Sequence, residues 1–249
     1  MVIFGKSDTG VRRAVNQDRF LIRDFGDGHA FCAVFDGMGG ANGGEEASTA
    51  ALRAFDRRVT TDVLDAQYGG ELITRTFAEK LLIRAADEAN ADIFSQSRDP
   101  DLEGMGTTAV AAFILPDDVI ALNVGDSRLY CVDRGELRQM TKDNSYVQYL
   151  VDIGRITPEE ARNHPQKNII TKCLGTEETV ESDTYRTGEV PEKLLLCSDG
   201  LSNALTEQFI FDVIQDTARS AEEKVGLLID AANKAGGPDN ITVILVQND

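Results

Sequence analysis

The segment Val34-Phe35-Asp36-Gly37-Met38-Gly39-Gly40 joins an apolar run to a single carboxylate and then to a glycine-rich turn. The run 31–35 predicts a buried strand, because short apolar segments bounded by a turn signal usually form one. Asp36 would then end the strand on rigid backbone with its side chain facing a cleft, and Gly37 would let another group approach closely. This position suits a metal ion, although Asp-Gly is also an ordinary turn signal and does not establish a site alone.

Three more aspartates lie next to apolar runs that predict strands: Asp126 after residues 119–125, Asp199 after 194–198, and Asp239 before 241–246. Carboxylates at four strand ends can converge on one cleft. Two like charges about 4 Å apart cost about 4 kcal/mol at an effective dielectric of about 20, so such a cluster calls for a cation. Two divalent ions about 3.5 to 4 Å apart would also activate a bridging water and neutralise a phosphoryl group for in-line attack.

Composition excludes several classes of partner. The 249 residues are 42% hydrophobic, which is enough for a sizeable core, and 25 basic against 42 acidic residues give a net charge of -17. Such a surface is repelled by nucleic acid and by anionic lipid, so we expect neither as a partner. No apolar run approaches the roughly 18 to 20 residues of a membrane span, and residues 1–10 lack the features of a signal peptide. We therefore expect a cytoplasmic protein.

The cysteines and histidines narrow the choice of metal. The four cysteines are widely scattered without a Cys-x-x-Cys pair, and three of them lie in apolar runs, so we interpret them as reduced and mostly core residues. Only two histidines are present. Zinc sites usually need clusters of these residues, whereas a site made of carboxylates suits magnesium or manganese.

A phosphoryl-transfer site also needs an anion-binding group that is not a metal. Arg13 is the best candidate, because a guanidinium pairs bidentately with phosphate. Asp18, five residues later, could hold metal-bound water. The plainer alternatives are that Arg12 and Arg13 are solvated loop charges and that Asp18 caps the following strand. The sequence contains neither a Cys-x5-Arg loop nor a Gly-x4-Gly-Lys-Ser/Thr loop, which disfavours cysteine-dependent phosphatases and P-loop nucleotide hydrolases.

Strand and helix patterns come in blocks, which favours an α+β fold over a doubly wound parallel sheet. Alternating or continuous apolar runs bounded by turns predict strands over 2–8, 19–24, 31–36, 107–115, 119–124, 128–132, 136–140, 184–187, 193–197 and 241–247. Helical periodicity and capping signals predict helices over 45–59, 71–95, 146–153, from 157, 206–216 and 220–235. We expect residues 141–175 to form a small helical insertion between strands.

Taken together, the motifs resemble those of the metal-dependent type 2C (PPM) serine/threonine protein phosphatases in their compact bacterial form. The matching blocks span nearly the whole chain and occur in family order: residues 13–18, Asp36-Gly37-Met38-Gly39-Gly40, Gly106-Thr107-Thr108, Gly125-Asp126-Ser127-Arg128, Cys197-Ser198-Asp199-Gly200 and Gly237-Pro238-Asp239-Asn240. The resemblance implies one catalytic domain over 1–249, built as a sandwich of two antiparallel sheets flanked by helix pairs. The insertion at about 141–175 would be a flap beside the cleft.

The resemblance also implies the roles of the site residues. Asp36 would bridge two Mg²⁺ or Mn²⁺ ions, the Gly37 carbonyl would bind the second ion, and Asp199 and Asp239 would bind the first. Asp126 would hold a weaker third ion together with Asp199, and Arg13 would bind the phosphate. A hydroxide bridging the two ions would attack phosphoserine or phosphothreonine in proteins. The implied partners are phosphorylated proteins, among them a serine/threonine kinase and its substrates, and we expect a monomer.

Three positions depart from the family pattern. Gln17 stands where the family often has Glu, Asn144 replaces a frequent His, and Asn203 replaces a common Asp. None is a direct metal ligand by the resemblance. The first two leave open a regulatory module that binds phosphoproteins with little turnover. A third hypothesis, in which the aspartates are ordinary turn residues of an acidic domain, predicts no response of stability to manganese.

Overall fold

The computed structural model describes residues 1–248, without the side chains of Ala41 and Asn42. Its strands are β1 (Val2–Asp8), β2 (Asp18–Gly26), β3 (His29–Met38), β4 (Gly106–Thr107), β5 (Ala109–Ile114), β6 (Val119–Val124), β7 (Arg128–Asp133), β8 (Glu136–Gln139), β9 (Asp183–Arg186), β10 (Lys193–Cys197) and β11 (Ile241–Gln247). Its α-helices are α1 (Gly40–Gly69), α2 (Arg75–Gln96), α3 (Tyr146–Asp152), α4 (Pro158–Arg162), α5 (Asp199–Ser202), α6 (Glu207–Gln215) and α7 (Ala221–Lys234).

The strands form two antiparallel sheets that pack face to face. One sheet has the order β1-β11-β10-β7-β8, and the other has the order β2-β3-β5-β6-β9, with β4 paired to β3. Alternate residues of β3 face opposite sides, as strand geometry requires. Cys32 and Val34 pack between the sheets, whereas Phe31 and Phe35 pack against α1 and α2. The other sheet is covered by α6 and α7. The α+β sandwich with flanking helix pairs is therefore confirmed.

Helix α1 is fixed to β3 by aromatic packing. Phe55 lies 6.2 Å from Phe31 and 5.2 Å from Phe35 between ring centroids, and all three side chains are fully buried. Such ring pairs add about 0.5 to 1.5 kcal/mol each beyond area burial. This contact fixes the middle of α1 against β3.

The predicted bounds of two helices were wrong. The predicted 45–59 helix extends from Gly40 to Gly69, because Val63 and Ala66 continue its buried face until Gly70 ends it in a left-handed conformation at φ 70°. The predicted 71–95 helix begins only at Arg75, after Thr74 accepts a hydrogen bond from the Phe77 amide as its N-cap. The short helix α5 has too few residues to show periodicity and was not predicted.

Both ends of the 141–175 insertion are fastened to each other and to the sandwich. The Asn144 amide donates to the Gly125 carbonyl at 2.8 Å, and the Asn144 carbonyl accepts from the Thr171 amide at 2.8 Å. The cysteines are free, as predicted, and Cys32, Cys131 and Cys197 are buried. None of the helices in the described part of the chain combines the length and apolar character of a membrane span.

Candidate metal centre

The two sheets bring the sequence-predicted carboxylates to one end of the sandwich. Asp18 lies directly opposite Asp36 in the pairing of β2 with β3. Asp199 is the first residue of α5, immediately beyond β10, and Asp239 precedes the neighbouring strand β11. Asp126 lies in the connection from β6 to β7, which crosses between the sheets. Each sheet therefore contributes two carboxylates, and the crossover contributes a fifth.

These residues surround a cleft of about 600 Å³. Asp18 is only 2% exposed and does not line the cleft directly. The predicted site residues on the cleft wall are Arg13, Asp36, Gly37, Asp126, Asp199 and Asp239. Three lining residues, Asn168, Ile170 and Cys173, come from the 141–175 insertion, which therefore borders the cleft.

The carboxylates are close enough to oppose one another's ionisation. Burial raises the pKa of Asp36 well above its ordinary value, and the charges of Asp18, Asp199, Asp126 and Asp239 raise it further. Burial, with smaller contributions from neighbouring aspartates, raises the pKa of Asp18 to about 7. The pKa of Asp199 rises to about 6, through burial and then the charge of Asp239. Carboxylates whose pKa values are raised together by burial and by one another are typical of a functional site.

Arg13 supplies part of that counter-charge. Its Nη2 donates to Oδ2 of Asp239 at 2.8 Å, and this hydrogen bond is the main cause of a raised Arg13 pKa. The side chain remains 50% exposed. The sequence predicted Arg13 at the site but not its pairing with Asp239, because the two residues are 226 positions apart.

The donor set fits hard divalent cations. Asp18 Oδ1 and Asp199 Oδ1 are buried side-chain oxygens without a hydrogen-bond partner in the structure. Within residues 1–248, no three His, Cys, Asp or Glu side chains form a ready-made coordination group. That dispersed arrangement is compatible with Mg²⁺, which keeps several waters and takes only one or two carboxylates from the protein.

Glycines are required where β3 meets α1. A Cβ on Gly37 would lie 2.0 Å from the Gly44 carbonyl oxygen, and a Cβ on Gly44 would lie 2.7 Å from the Gly37 carbonyl group. Gly39 bridges the two elements with φ 121°, a conformation that side chains disfavour. Gly44, near the start of α1, therefore packs closely against the backbone of Gly37, which follows Asp36.

The three residues that depart from the family pattern, Gln17, Asn144 and Asn203, make hydrogen bonds within the structure. Gln17 Nε2 donates to the Gly40 carbonyl at 2.8 Å, and Asn203 Nδ2 donates to Asp199 Oδ2 at 2.9 Å. Asn144 Oδ1 accepts from the Gly125 amide at 2.9 Å. These amides hold the backbone or the carboxylates around the cleft.

Sequence reasoning missed a second layer of polar residues behind the carboxylates. Asn240 Oδ1 accepts from the backbone N–H of Gln17 at 2.8 Å, and Asn240 Nδ2 donates to the backbone carbonyls of Thr9 and Val15. These bonds hold the segment that contains Arg13 in place. Ser198 and Thr242 both donate to Asp18. The sequence did carry a signal for these residues. Ser198 and Asn240 are polar residues next to the predicted site residues Asp199 and Asp239, and Thr242 carries a hydroxyl within an otherwise apolar run.

Comparison with known proteins gives consistent matches over most of the chain. A family model described as Protein phosphatase 2C matches residues 9–233. The serine/threonine phosphatase stp of Listeria monocytogenes serotype 4b is 39% identical over 249 residues, which cover 98% of this chain and 94% of that protein. The serine/threonine protein phosphatase PstP of Mycobacterium tuberculosis is 39% identical over 242 residues, covering 96% of this chain and 43% of PstP.

Solved structures agree with these sequence matches. The serine/threonine phosphatase of S. agalactiae superposes with a TM-score of 0.87 at 34% identity, covering 100% of this chain and 99% of that one. The catalytic domain of PstP in complex with two manganese ions superposes with a TM-score of 0.82 at 36% identity, covering 99% and 97%.

Proposed function

The chain belongs to the protein phosphatase 2C family and is a serine/threonine phosphatase, and we propose that its aspartate cleft binds the divalent cations with which it hydrolyses phosphoserine and phosphothreonine in proteins. One observation carries the proposal: carboxylates from both sheets and from the crossover between them surround one cleft, where their charges oppose one another. The two manganese ions in the structure of the PstP catalytic domain also support the proposal that the cleft binds divalent cations.

The proposed ligands are those that the resemblance to the family implies, and all of them line the cleft. Asp36 lies among the other carboxylates and would contact two ions, and the Gly37 carbonyl would contact the second ion. Asp199 and Asp239 would hold the first ion, while Asp126 would hold a third together with Asp199. Bound divalent ions lower the pKa of water and neutralise phosphoryl charge.

Arg13 would bind the phosphate of the substrate. Because its side chain is half exposed, it can turn from Asp239 towards a phosphate without disturbing the buried structure. A guanidinium contact of this kind orients the phosphoryl group and stabilises its negative charge. In the absence of substrate, the same cation offsets part of the repulsion among the carboxylates.

Phosphate release from a phosphothreonine peptide tests this function. We expect release with Mn²⁺, no release with a chelator, and no release from the Asp239→Asn protein. Release that persists in the chelator or in Asp239→Asn would contradict the proposed site. No release by the wild type, together with a clear rise of melting temperature in Mn²⁺, would favour the binding module. No structural observation favours that module now, because Gln17 and Asn144 both make local contacts.

We further infer that residues 1–249 act as one catalytic domain in the cytoplasm and as a monomer. Its partners would be phosphorylated proteins, including a serine/threonine kinase and the substrates of that kinase. The names of the relatives and the net charge of -17 support protein substrates over nucleic acid or anionic lipid.

A further inference from the structure

Two buried hydroxyl groups converge on one oxygen of Asp18. Ser198 Oγ and Thr242 Oγ1 each donate to Asp18 Oδ2 at 2.7 Å, and both hydroxyl-bearing residues are fully buried. Ser198 follows β10 and Thr242 lies on β11, whereas Asp18 begins β2 in the other sheet. The contact therefore joins the two sheets at the metal end of the sandwich.

The surrounding hydrogen bonds determine which way these hydroxyl hydrogens point. Ser198 Oγ accepts from the Thr242 amide at 2.9 Å, so its single hydrogen remains for Asp18. Thr242 Oγ1 lies 2.7 Å from Ser7 Oγ, which itself accepts from Asn16 Nδ2 at 2.8 Å. With the Thr242 hydrogen on Asp18, Ser7 donates to Thr242. Every hydrogen in the chain of hydroxyls is then directed towards Asp18 Oδ2.

The other oxygen of Asp18 is left without a partner. Oδ1 is buried and makes no hydrogen bond in the structure. Leaving a buried acceptor unpaired costs free energy, which a water molecule held at the site would recover. Asp18 stands opposite Asp36 in the strand register, so that water would lie on the side of the cleft where the ions are proposed to bind.

We propose that Ser198 and Thr242 are positioning residues: they fix the rotation of the Asp18 carboxylate so that Oδ1 faces the metal site as its one remaining acceptor. Their role is to raise the affinity for divalent cations through water, without contact with an ion or with the substrate. This inference rests on the proposed function, because it presupposes that the cleft binds metal. Groups that orient the immediate surroundings of a metal typically change its affinity about 10- to 100-fold when removed.

Thr242→Val tests the proposal, since it removes the hydroxyl and keeps the shape of the side chain and its backbone amide. We expect the Kd for Mn²⁺, measured by calorimetry, to rise about tenfold in this variant. Thr242→Ser restores the hydroxyl and should bind Mn²⁺ with nearly the wild-type Kd. At saturating Mn²⁺ the KM for a phosphopeptide should remain that of the wild type.

A matched control exists at the opposite end of the sandwich. Thr187 Oγ1 donates to the fully buried Asp118 at 3.1 Å, remote from the cleft residues. Thr187→Val therefore loses the same kind of bond and should leave the Kd for Mn²⁺ unchanged.

The outcomes separate this inference from the proposed function. A wild-type protein that binds no Mn²⁺ would overturn both. Wild-type binding with an unchanged Kd in Thr242→Val, or with equal weakening in Thr242→Ser, would overturn the positioning role alone. If Thr242→Val does not fold, Ser198→Ala provides the same test, and an unchanged Kd in that variant would again overturn the proposal.

Discussion

At the scale of single residues, the site is defined by charges that the fold holds together against their mutual repulsion. Burial raises the pKa of Asp36, and the charges of the other four aspartates of the cluster raise it further. Arg13 is the cation that the structure shows bonded to one of them, Asp239. Replacing Asp36 should therefore change both stability and activity, and replacing Arg13 should change the binding of the phosphopeptide.

Asp36→Asn should stabilise the metal-free protein while abolishing activity. Burial and the neighbouring aspartates hold the pKa of Asp36 well above its ordinary value, so replacing this carboxylate by a neutral amide should increase the free energy of unfolding at pH 7.5. Denaturant unfolding in a chelator, alongside phosphate release in Mn²⁺, measures both effects. Asp27→Asn, at an exposed turn, is the control and should change neither. A destabilised Asp36→Asn protein, or one that retains turnover, would contradict the account.

Arg13→Ala should raise the KM for a phosphopeptide by about tenfold, the size expected for one charge-assisted hydrogen bond. The Kd for Mn²⁺ should stay the same or decrease slightly, because Asp239 loses a competing partner. Arg12→Ala is the matched control, since Arg12 is an exposed neighbour that does not line the cleft. Equal KM values for the two variants would reject the phosphate-binding role of Arg13.

At the scale of elements, the contact between β3 and α1 positions the backbone after Asp36. Gly37 and Gly44 meet so closely that neither position has room for a Cβ. The sequence placed glycines here but did not reveal that two of them touch, because that contact depends on how far α1 extends towards its N-terminus. The predicted start at residue 45 left Gly44 outside the helix.

Gly44→Ala should destabilise the protein by about 1 to 3 kcal/mol through overpacking and should weaken Mn²⁺ binding by displacing Gly37. Gly226→Ala is the control: Gly226 lies inside α7 with open space around it, so Ala should stabilise the protein by up to about 1 kcal/mol. Thermal unfolding and Mn²⁺ calorimetry on both variants measure these effects. An unaltered Kd in Gly44→Ala would show that the Gly37 backbone is not part of the metal site.

At the scale of the whole molecule, the two sheets turn distant sequence positions into one site. Local sequence patterns were sufficient to predict the strands, most of the helices and the position of the aspartates at strand ends, since each of these features depends on a few neighbouring residues. The α+β class followed from the order of these blocks. The pairing of Arg13 with Asp239, the hydroxyl groups on Asp18 and the opposition of Asp18 to Asp36 all depend on sheet pairing, which local patterns do not encode.

The cluster should make the metal-free protein more stable in mild acid. The pKa values of about 7 for Asp18 and about 6 for Asp199 exceed the ordinary value of 3.8, so the native state holds protons that the unfolded chain releases. The free energy of unfolding should therefore fall as pH rises from about 4 to about 7. Between pH 5.5 and 7.5 in a chelator, we expect a loss of about 2 kcal/mol.

Asp18→Asn provides the comparison for this pH dependence, because it removes one of the titrating groups and leaves the rest of the chain unchanged. The loss between pH 5.5 and 7.5 should be smaller in Asp18→Asn than in the wild type. Saturating Mn²⁺ should restore the stability of the wild type at pH 7.5. Identical pH profiles for the two proteins in the chelator would show that Asp18 does not carry the predicted proton.

The most direct test of the account is a crystal structure of the wild-type protein grown with Mn²⁺ and measured for anomalous scattering. We predict two strong anomalous peaks in the cleft, both within coordination distance of the Asp36 carboxylate, one of them also contacting Asp199 and Asp239 and the other the Gly37 carbonyl. A cleft without anomalous peaks, or Mn²⁺ bound only elsewhere on the acidic surface, would contradict the assignment of these aspartates as the metal centre.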